Sequence, residues 1–299
     1  MSTTVNIIEG TVPFTYANET YQTWYKVFGD LSTAIEPPLI VVHGGPGLSH
    51  DYLLACADLA TSTRPVVFYD QLGNAHSTHL PDKDPSFWTI PLFLAELENL
   101  ISQLKIDASP YDLLGHSWGG VLAAELAVRE PAPPAGLRKV VLANSLPSIA
   151  LWGQSVGMLL SKFPEDVQEG MKGGLKADPE KFRKAAKTFF AVHGCTAQPP
   201  PPEFLVAMEY ILGERGPRPV ADAEILGKAN WTVIDRLHRV SAPTLVLNGA
   251  ADMAQDFVVQ PLVDGISGAK HAKFEQSSHM PFWEERELFM KVVGDFLVE

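Results

Sequence analysis

Residues 112–126 read DLLGHSWGGVLAAEL: one serine, Ser117, among three glycines, after an apolar run and before an alanine-rich one. Glycine weakens any regular backbone, so three of them here mark a sharp turn or a very close approach of chains. Gly115, Ser117 and Gly119 have the spacing G-x-S-x-G. Between a buried strand and a helix that spacing is a nucleophile elbow, a strained turn that lifts the serine hydroxyl out at a sheet edge. The hydroxyl then lies at the helix N-terminus, where the backbone N–H of Trp118 can face a developing oxyanion. A surface turn also carries glycine and serine; the apolar run before and the helix pattern after decide for the elbow.

Working outward, the flanks repeat the same grammar. Leu39–Val42 is a short, wholly apolar run ended by glycines, as expected of a strand buried on both faces. RPVVFYDQLG (64–73), YDLLG (111–115), RKVVLAN (138–144) and PTLVLNG (243–249) are similar, and AKFEQSS (272–278) is a weaker version. TVPFTYA and TYQTWYKVFG, near the start, predict a hairpin. Helical periods lie between the runs: 91–106 puts Leu94, Leu97, Ile101 and Leu104 on one stripe with Pro91 in the first turn. Residues 118–130 and 285–298 predict two more helices. Strands alternating with helices predict an α/β fold with a mostly parallel sheet covered on both faces. The alternation stops between about 147 and 232, where helical segments are broken by AQPPPPEF and ERGPRP. That stretch is long for a loop. It predicts a helical cap over a core formed by 1–146 and 233–299.

A serine needs a base, and the base needs an orienting acid. In this architecture they follow the serine in the order acid, then histidine. His238, His271 and His279 come late enough; only His279, in EQSSHMPFWEE, directly follows the last strand. For the acid, LVLNGAADMAQDF offers Asp252 just beyond a strand, with Asp256 as the rival. HGGPG (43–47) follows another buried strand and has neither a dinucleotide nor a phosphate-loop pattern. Its natural role is the second oxyanion donor, through the backbone N–H of Gly45, with His43 bracing the loop.

The formal net charge is −12 and no Lys/Arg stripe exists, which disfavours nucleic acid as a partner. Cys56 and Cys195 form no disulfide framework and no metal-ligand spacing. No apolar run is long enough to span a membrane, and the first residues lack a signal-peptide pattern. The expectation is a cytoplasmic enzyme without metal or cofactor, acting on a small molecule or short peptide. Its oligomeric state is left open.

HGGPG, YDQLGNAHST, GHSWGG and SSHMPFWEE together resemble the proline iminopeptidase and L-amino acid amidase branch of the α/β-hydrolases, and STHLPDKDPSFWTIPLFLAELENLISQL resembles its fungal-type members. The resemblance implies an α/β-hydrolase fold, a Ser117/Asp252/His279 triad, an oxyanion hole at Gly45 and Trp118, and cleavage of an amide beside an N-terminal amino acid. It also implies glutamates that hold the substrate's α-amine. Here GPRP places Pro219 where the family has one of them, Met253 stands at the other, and Leu72 replaces the arginine of Y-D-Q-R-G. Glu209, Glu214, Asp222 and Glu224 are candidate replacements, Glu209 and Glu224 the first two to mutate. Trp118, Trp152, Phe189, Trp231, Met280 and Trp283 are candidates to line an apolar pocket. Two alternatives stand beside the amidase reading: an ester or lactone hydrolase with the same triad, and a non-catalytic ligand receptor.

Overall fold

The computed structural model describes residues 6–131, 133–215, 218–228 and 230–299. The chain opens with β1 (Ile7–Tyr16) and β2 (Glu19–Phe28), an antiparallel hairpin. Ala17 and Asn18 turn it with φ of 50° and 65°, the left-handed pair that matches the twist of a tight hairpin. Then follow β3 (Leu39–Val42), a 3₁₀ segment (Asp51–Leu59), β4 (Val66–Tyr69), α1 (Ile90–Gln103), β5 (Tyr111–His116), α2 (Trp118–Ala127) and β6 (Leu137–Ala143). Thr89 caps α1 by accepting from the Leu92 amide, and the left-handed Lys105 (φ 57°) stops it short of the predicted 106.

Between β6 and the next strand the described residues hold only helices and turns, apart from the single bridge described below. The helices are α3 (Ile149–Leu160), α4 (Glu165–Ala177), α5 (Pro179–His193), α6 (Pro202–Ile211) and the short α7 (Ile225–Lys228). The bridge, between Ser148 and Thr232, ties the two ends of this insertion together. The chain closes with β7 (Thr244–Gly249), α8 (Asp256–Gly265), β8 (Lys270–Phe274), α9 (Pro281–Glu284) and α10 (Arg286–Val298).

The eight strands form one sheet in the order β1-β2-β4-β3-β5-β6-β7-β8, parallel from β4 through β8. β3 to β7 are short and buried on both faces, so their side chains alternate between two cores. Ile40, Val42, Val67, Tyr69, Leu113, Val140 and Val246 face α1, α2 and α8. Leu39, Val41, Phe68, Leu114, Val141 and Leu247 face the 3₁₀ segment and α10. A third, smaller core joins the insertion helices through Leu159, Val167, Ala185 and Phe189, with Met253 inserted from the loop after β7.

Parallel strands end at the same edge, and this places the candidate residues. HGGPG follows β3, Ser117 follows β5, Asp252 follows β7 and His279 follows β8. β3 and β5 are neighbours, but β8 is three strands from β5. The loop after β8 closes that gap by running back over the strand ends. It accepts from Ala251 N at Ser277 O (2.9 Å), from Asn144 Nδ2 at Ser278 O (3.3 Å) and from His116 Nε2 at His279 O (2.8 Å).

Candidate active site

Ser117 stands between β5 and α2 with φ 54° and ψ −119°, a conformation that non-glycine residues rarely hold. The turn is possible because strand and helix almost touch: a Cβ on Gly115 would strike the Gly119 carbonyl, and one on Gly119 the carbonyl of Val42. Ser117 N donates to Ala143 O (2.9 Å), and its own carbonyl accepts from Ser145 Oγ (2.9 Å), so β6 holds the elbow from below.

His279 and Asp252 are both buried, and His279 Nδ1 lies 2.6 Å from Asp252 Oδ1. The carboxylate also accepts from Ala254 N (2.9 Å) at Oδ1 and from Asn144 Nδ2 (2.6 Å) at Oδ2. With Nδ1–H committed to Asp252, Nε2 is the nitrogen left to act as a base. Ser117 and His279 line one cavity. The rival acid, Asp256, is turned elsewhere: its carboxylate takes Asn248 Nδ2 (3.0 Å) and Lys273 Nζ (2.8 Å).

Behind these residues lies a buried polar network. Tyr52 Oη accepts from Gly44 N (2.6 Å) and meets His116 Nδ1 at 2.8 Å. Since His116 Nε2 donates to the His279 carbonyl, Nδ1 is the acceptor, and Tyr52 donates to it. Burial, reinforced by the neighbouring His279, holds His116 well below the ordinary imidazole pKa, so it is a neutral relay. Burial likewise lowers His43, to about 4. His43 Nε2 accepts from Gln71 N (3.0 Å), and Nδ1–H therefore donates to Gly44 O (3.0 Å), bracing the loop as expected.

Two cavities meet at Ser117. One, of about 330 Å³, is lined by Gly45, Pro46, Trp118, Ile149, Trp152 and Glu224 among others. The second, of about 250 Å³, is walled by Trp152, Met171, Phe189, Phe204, Met208 and Met253, with His279 at its floor. α3 to α6 thus roof the serine, and Glu224 supplies the one carboxylate among the residues lining either cavity.

The comparisons with known proteins bear on the fold and the family. The alpha/beta hydrolase fold family Abhydrolase_1 matches residues 37–196. A proline iminopeptidase of Lactobacillus helveticus is 29% identical, over 98% of each chain. Among solved structures, a Mycobacterium smegmatis proline iminopeptidase is 33% identical with a TM-score of 0.78, covering 96% of this chain and 97% of its own. VinJ is 40% identical with a TM-score of 0.87, covering 97% of this chain and 98% of its own. The chain belongs to the proline iminopeptidase branch of the α/β-hydrolases. It is a serine hydrolase.

Within this iminopeptidase-like chain, three of the residues proposed to bind substrate line neither cavity at Ser117. Glu209 sits on the outer side of α6, paired with Arg215, and lines a different cavity. Trp231 packs into the core, its indole N–H donating to Glu125 Oε1 (2.6 Å). Trp283 donates to the Tyr52 carbonyl (2.6 Å) and carries Arg286 over its ring. Both tryptophans are claimed by partners inside the fold, a condition no local pattern reveals. Glu224 does border the serine; it is exposed, in a left-handed conformation (φ 51°), with no hydrogen bond or ion pair among the described residues. Pro219 has no carboxylate to offer, and Met253 presents only a thioether to the apolar cavity; Gly216 and Pro217 of GPRP lie outside the described residues.

Sequence reasoning missed Asn144, His116, Tyr52 and Gln71. It also missed a cluster of two buried residues, His50 and Asp70, with the exposed His76, whose ring nitrogens and carboxylate lie close enough together to suggest a metal site. In this fold Asp70 is already saturated. Oδ1 accepts from His50 N (2.8 Å) and Nδ1 (2.9 Å), and Oδ2 from His76 N (3.2 Å) and Nδ1 (2.8 Å). Burial alone would raise the Asp70 pKa; the two histidines outweigh it and hold it below the usual carboxylate range. The cluster fastens the loop after β3 to the loop after β4. No described helix is long and apolar enough to cross a membrane.

Proposed function

We propose that the protein hydrolyses the amide bond beside an N-terminal amino acid through an acyl-enzyme, with Ser117 as nucleophile, His279 as base and Asp252 as orienting acid. The observation that carries this is the Asp252–His279 hydrogen bond of 2.6 Å facing the cavity into which the elbow presents Ser117. Ser117 Oγ attacks the carbonyl carbon and gives its proton to His279 Nε2. Asp252 stabilises the imidazolium, and the tetrahedral oxyanion takes the N–H groups of Gly45 and Trp118. Collapse expels the amine, which takes the proton from His279. Water, deprotonated by the same nitrogen, then releases the acid. Ser117 and His279 line the same cavity with no hydrogen bond between them among the described residues, and a nucleophile–base bond is of the kind that forms or tightens once substrate has entered.

The relatives named proline iminopeptidase support an N-terminal amino acid as the acyl part. Glu224 is the carboxylate available to its ammonium, at the rim of one cavity, while the methionine- and phenylalanine-lined cavity takes an apolar group. An exposed ion pair is worth only about 0–1 kcal/mol, so discrimination against an N-acetylated substrate is expected to be weak, well under 100-fold in kcat/KM. A desolvated pair, as glutamates in place of Met253 and Pro219 would supply, is worth about 3–5 kcal/mol when broken, which is ~100- to 1,000-fold or more. The apolar walls around Met253 favour one second reading, hydrolysis of a small ester or lactone. Aminoacyl amides, their N-acetyl forms, esters and lactones assayed side by side separate the two. A free-amine preference removed by Glu224→Gln supports the first. A ratio near one with faster ester or lactone turnover supports the second, and a ratio above about 1,000 would mean that a buried acid other than Glu224 anchors the amine.

A further inference from the structure

The two N–H groups assigned to the oxyanion sit on different elements, Gly45 on the loop after β3 and Trp118 at the start of α2. One side chain joins them. Gln71, fully buried in the turn after β4, accepts from the Trp118 indole Nε1 at Oε1 (2.8 Å) and donates from Nε2 to the His43 carbonyl (2.8 Å). Its backbone N–H meets the His43 ring at 3.0 Å. The loop is thus held two residues before Gly45, and the helix at the very residue that offers the other N–H.

We propose that Gln71 is a positioning residue that sets the separation and direction of the two oxyanion donors. This rests on the reading of Gly45 and Trp118 as the oxyanion hole. Only a planar amide suits the position: an acceptor must face the indole N–H and a donor must face the carbonyl. Methionine fills the space with neither group, and glutamate turns an oxygen against the His43 carbonyl. Because an oxyanion exists only in the tetrahedral state, misplacing its donors should lower kcat and leave KM alone.

The test compares wild type, Gln71→Met, Gln71→Glu and Ser117→Ala, with p-nitrophenyl acetate as substrate. An aryl trifluoromethyl ketone serves as tetrahedral mimic and the matching methyl ketone as ground-state control. Gln71→Met is expected to lose about 10- to 100-fold in kcat with KM within about threefold. The Ki of the trifluoromethyl ketone should rise by the same factor, and that of the methyl ketone should not move. Gln71→Glu should be worse. Should either variant fail to fold, Trp118→Phe cuts the same bond from the other side, keeps the backbone N–H, and should give the same pattern. Unchanged kcat, or equal weakening of both ketones, overturns the proposal. If Ser117→Ala is inactive while Gln71→Met behaves as wild type, only the positioning role falls. If Ser117→Ala keeps its activity, the serine reading itself falls.

Discussion

Glu96, on α1, is a carboxylic acid buried inside the protein with no cation against it among the described residues. Oε1 accepts from Thr23 Oγ1 (2.7 Å), and both oxygens receive Leu72 N, at 2.9 and 3.0 Å. Burial pushes its pKa up from 4.5 to about 7; the hydrogen bonds from Leu72 and Thr23 oppose this, and the charge of Asp70 adds to it. Leu72, whose backbone N–H serves the carboxylate, has no guanidinium to relieve the charge. In the unfolded chain the carboxyl ionises near its ordinary value, so between about pH 4.5 and 7 the folded state binds more protons. The group's contribution to stability is full below that window, falls as pH rises through it, and is level above it. A shift from 4.5 to about 7, at about 1.4 kcal/mol per unit, makes the loss about 3 kcal/mol. Glu96→Gln keeps the shape and the acceptor for Thr23 but cannot ionise. Urea unfolding of both proteins at pH 4.5, 6 and 8.5 gives the difference in stability at each pH, and groups common to both proteins cancel. The variant should gain about 3 kcal/mol on wild type between the lowest and highest pH. Curves that stay parallel within about 0.5 kcal/mol would refute the reasoning.

Other expectations follow from the site. Asp252→Asn should lower kcat on the order of 10⁴-fold by favouring the wrong imidazole tautomer, while Asp256→Asn should cost far less; steady-state kinetics that rank them the other way would move the acid to Asp256. Tyr52→Phe strips Gly44 N and His116 Nδ1 of their partner, and each buried orphan should destabilise the fold by about 1–3 kcal/mol in urea melts; a change below about 0.5 kcal/mol would mean that water replaces the hydroxyl.

The elbow, the buried strands and the position of His279 are legible in the sequence because each is a local pattern. Four or five apolar residues ended by glycine have few other readings, and the loop after the last strand can only return to the edge where Ser117 stands. β8 is less legible: of KHAKF only Phe274 is buried, so its start at Lys270 carries no apolar signal, and the chain turns at Glu275 and Gln276 instead of extending to Ser278. α2 stops at Ala127, short of the predicted 130, just ahead of Pro131. The insertion reads as helical from its prolines and amphipathic stretches, but which of its faces borders the serine depends on packing. That is why Trp231 and Trp283 look like pocket residues in sequence and prove to be tied to Glu125 and Tyr52. Asn144, His116 and Gln71 lie 108, 163 and 47 residues from the groups they hold, at Asp252, His279 and Trp118, so nothing in their neighbourhood announces their partners.

The most direct measurement is the site of covalent capture. The enzyme is treated with a fluorophosphonate, and its intact mass and peptide map are read beside turnover of wild type and Ser117→Ala. A single adduct on the peptide carrying Ser117, none on Ser117→Ala, and a loss of turnover of about 10³-fold or more in that variant are the predicted results. An adduct on another residue, or a Ser117→Ala enzyme that keeps more than about a tenth of its activity, would contradict Ser117 as the nucleophile.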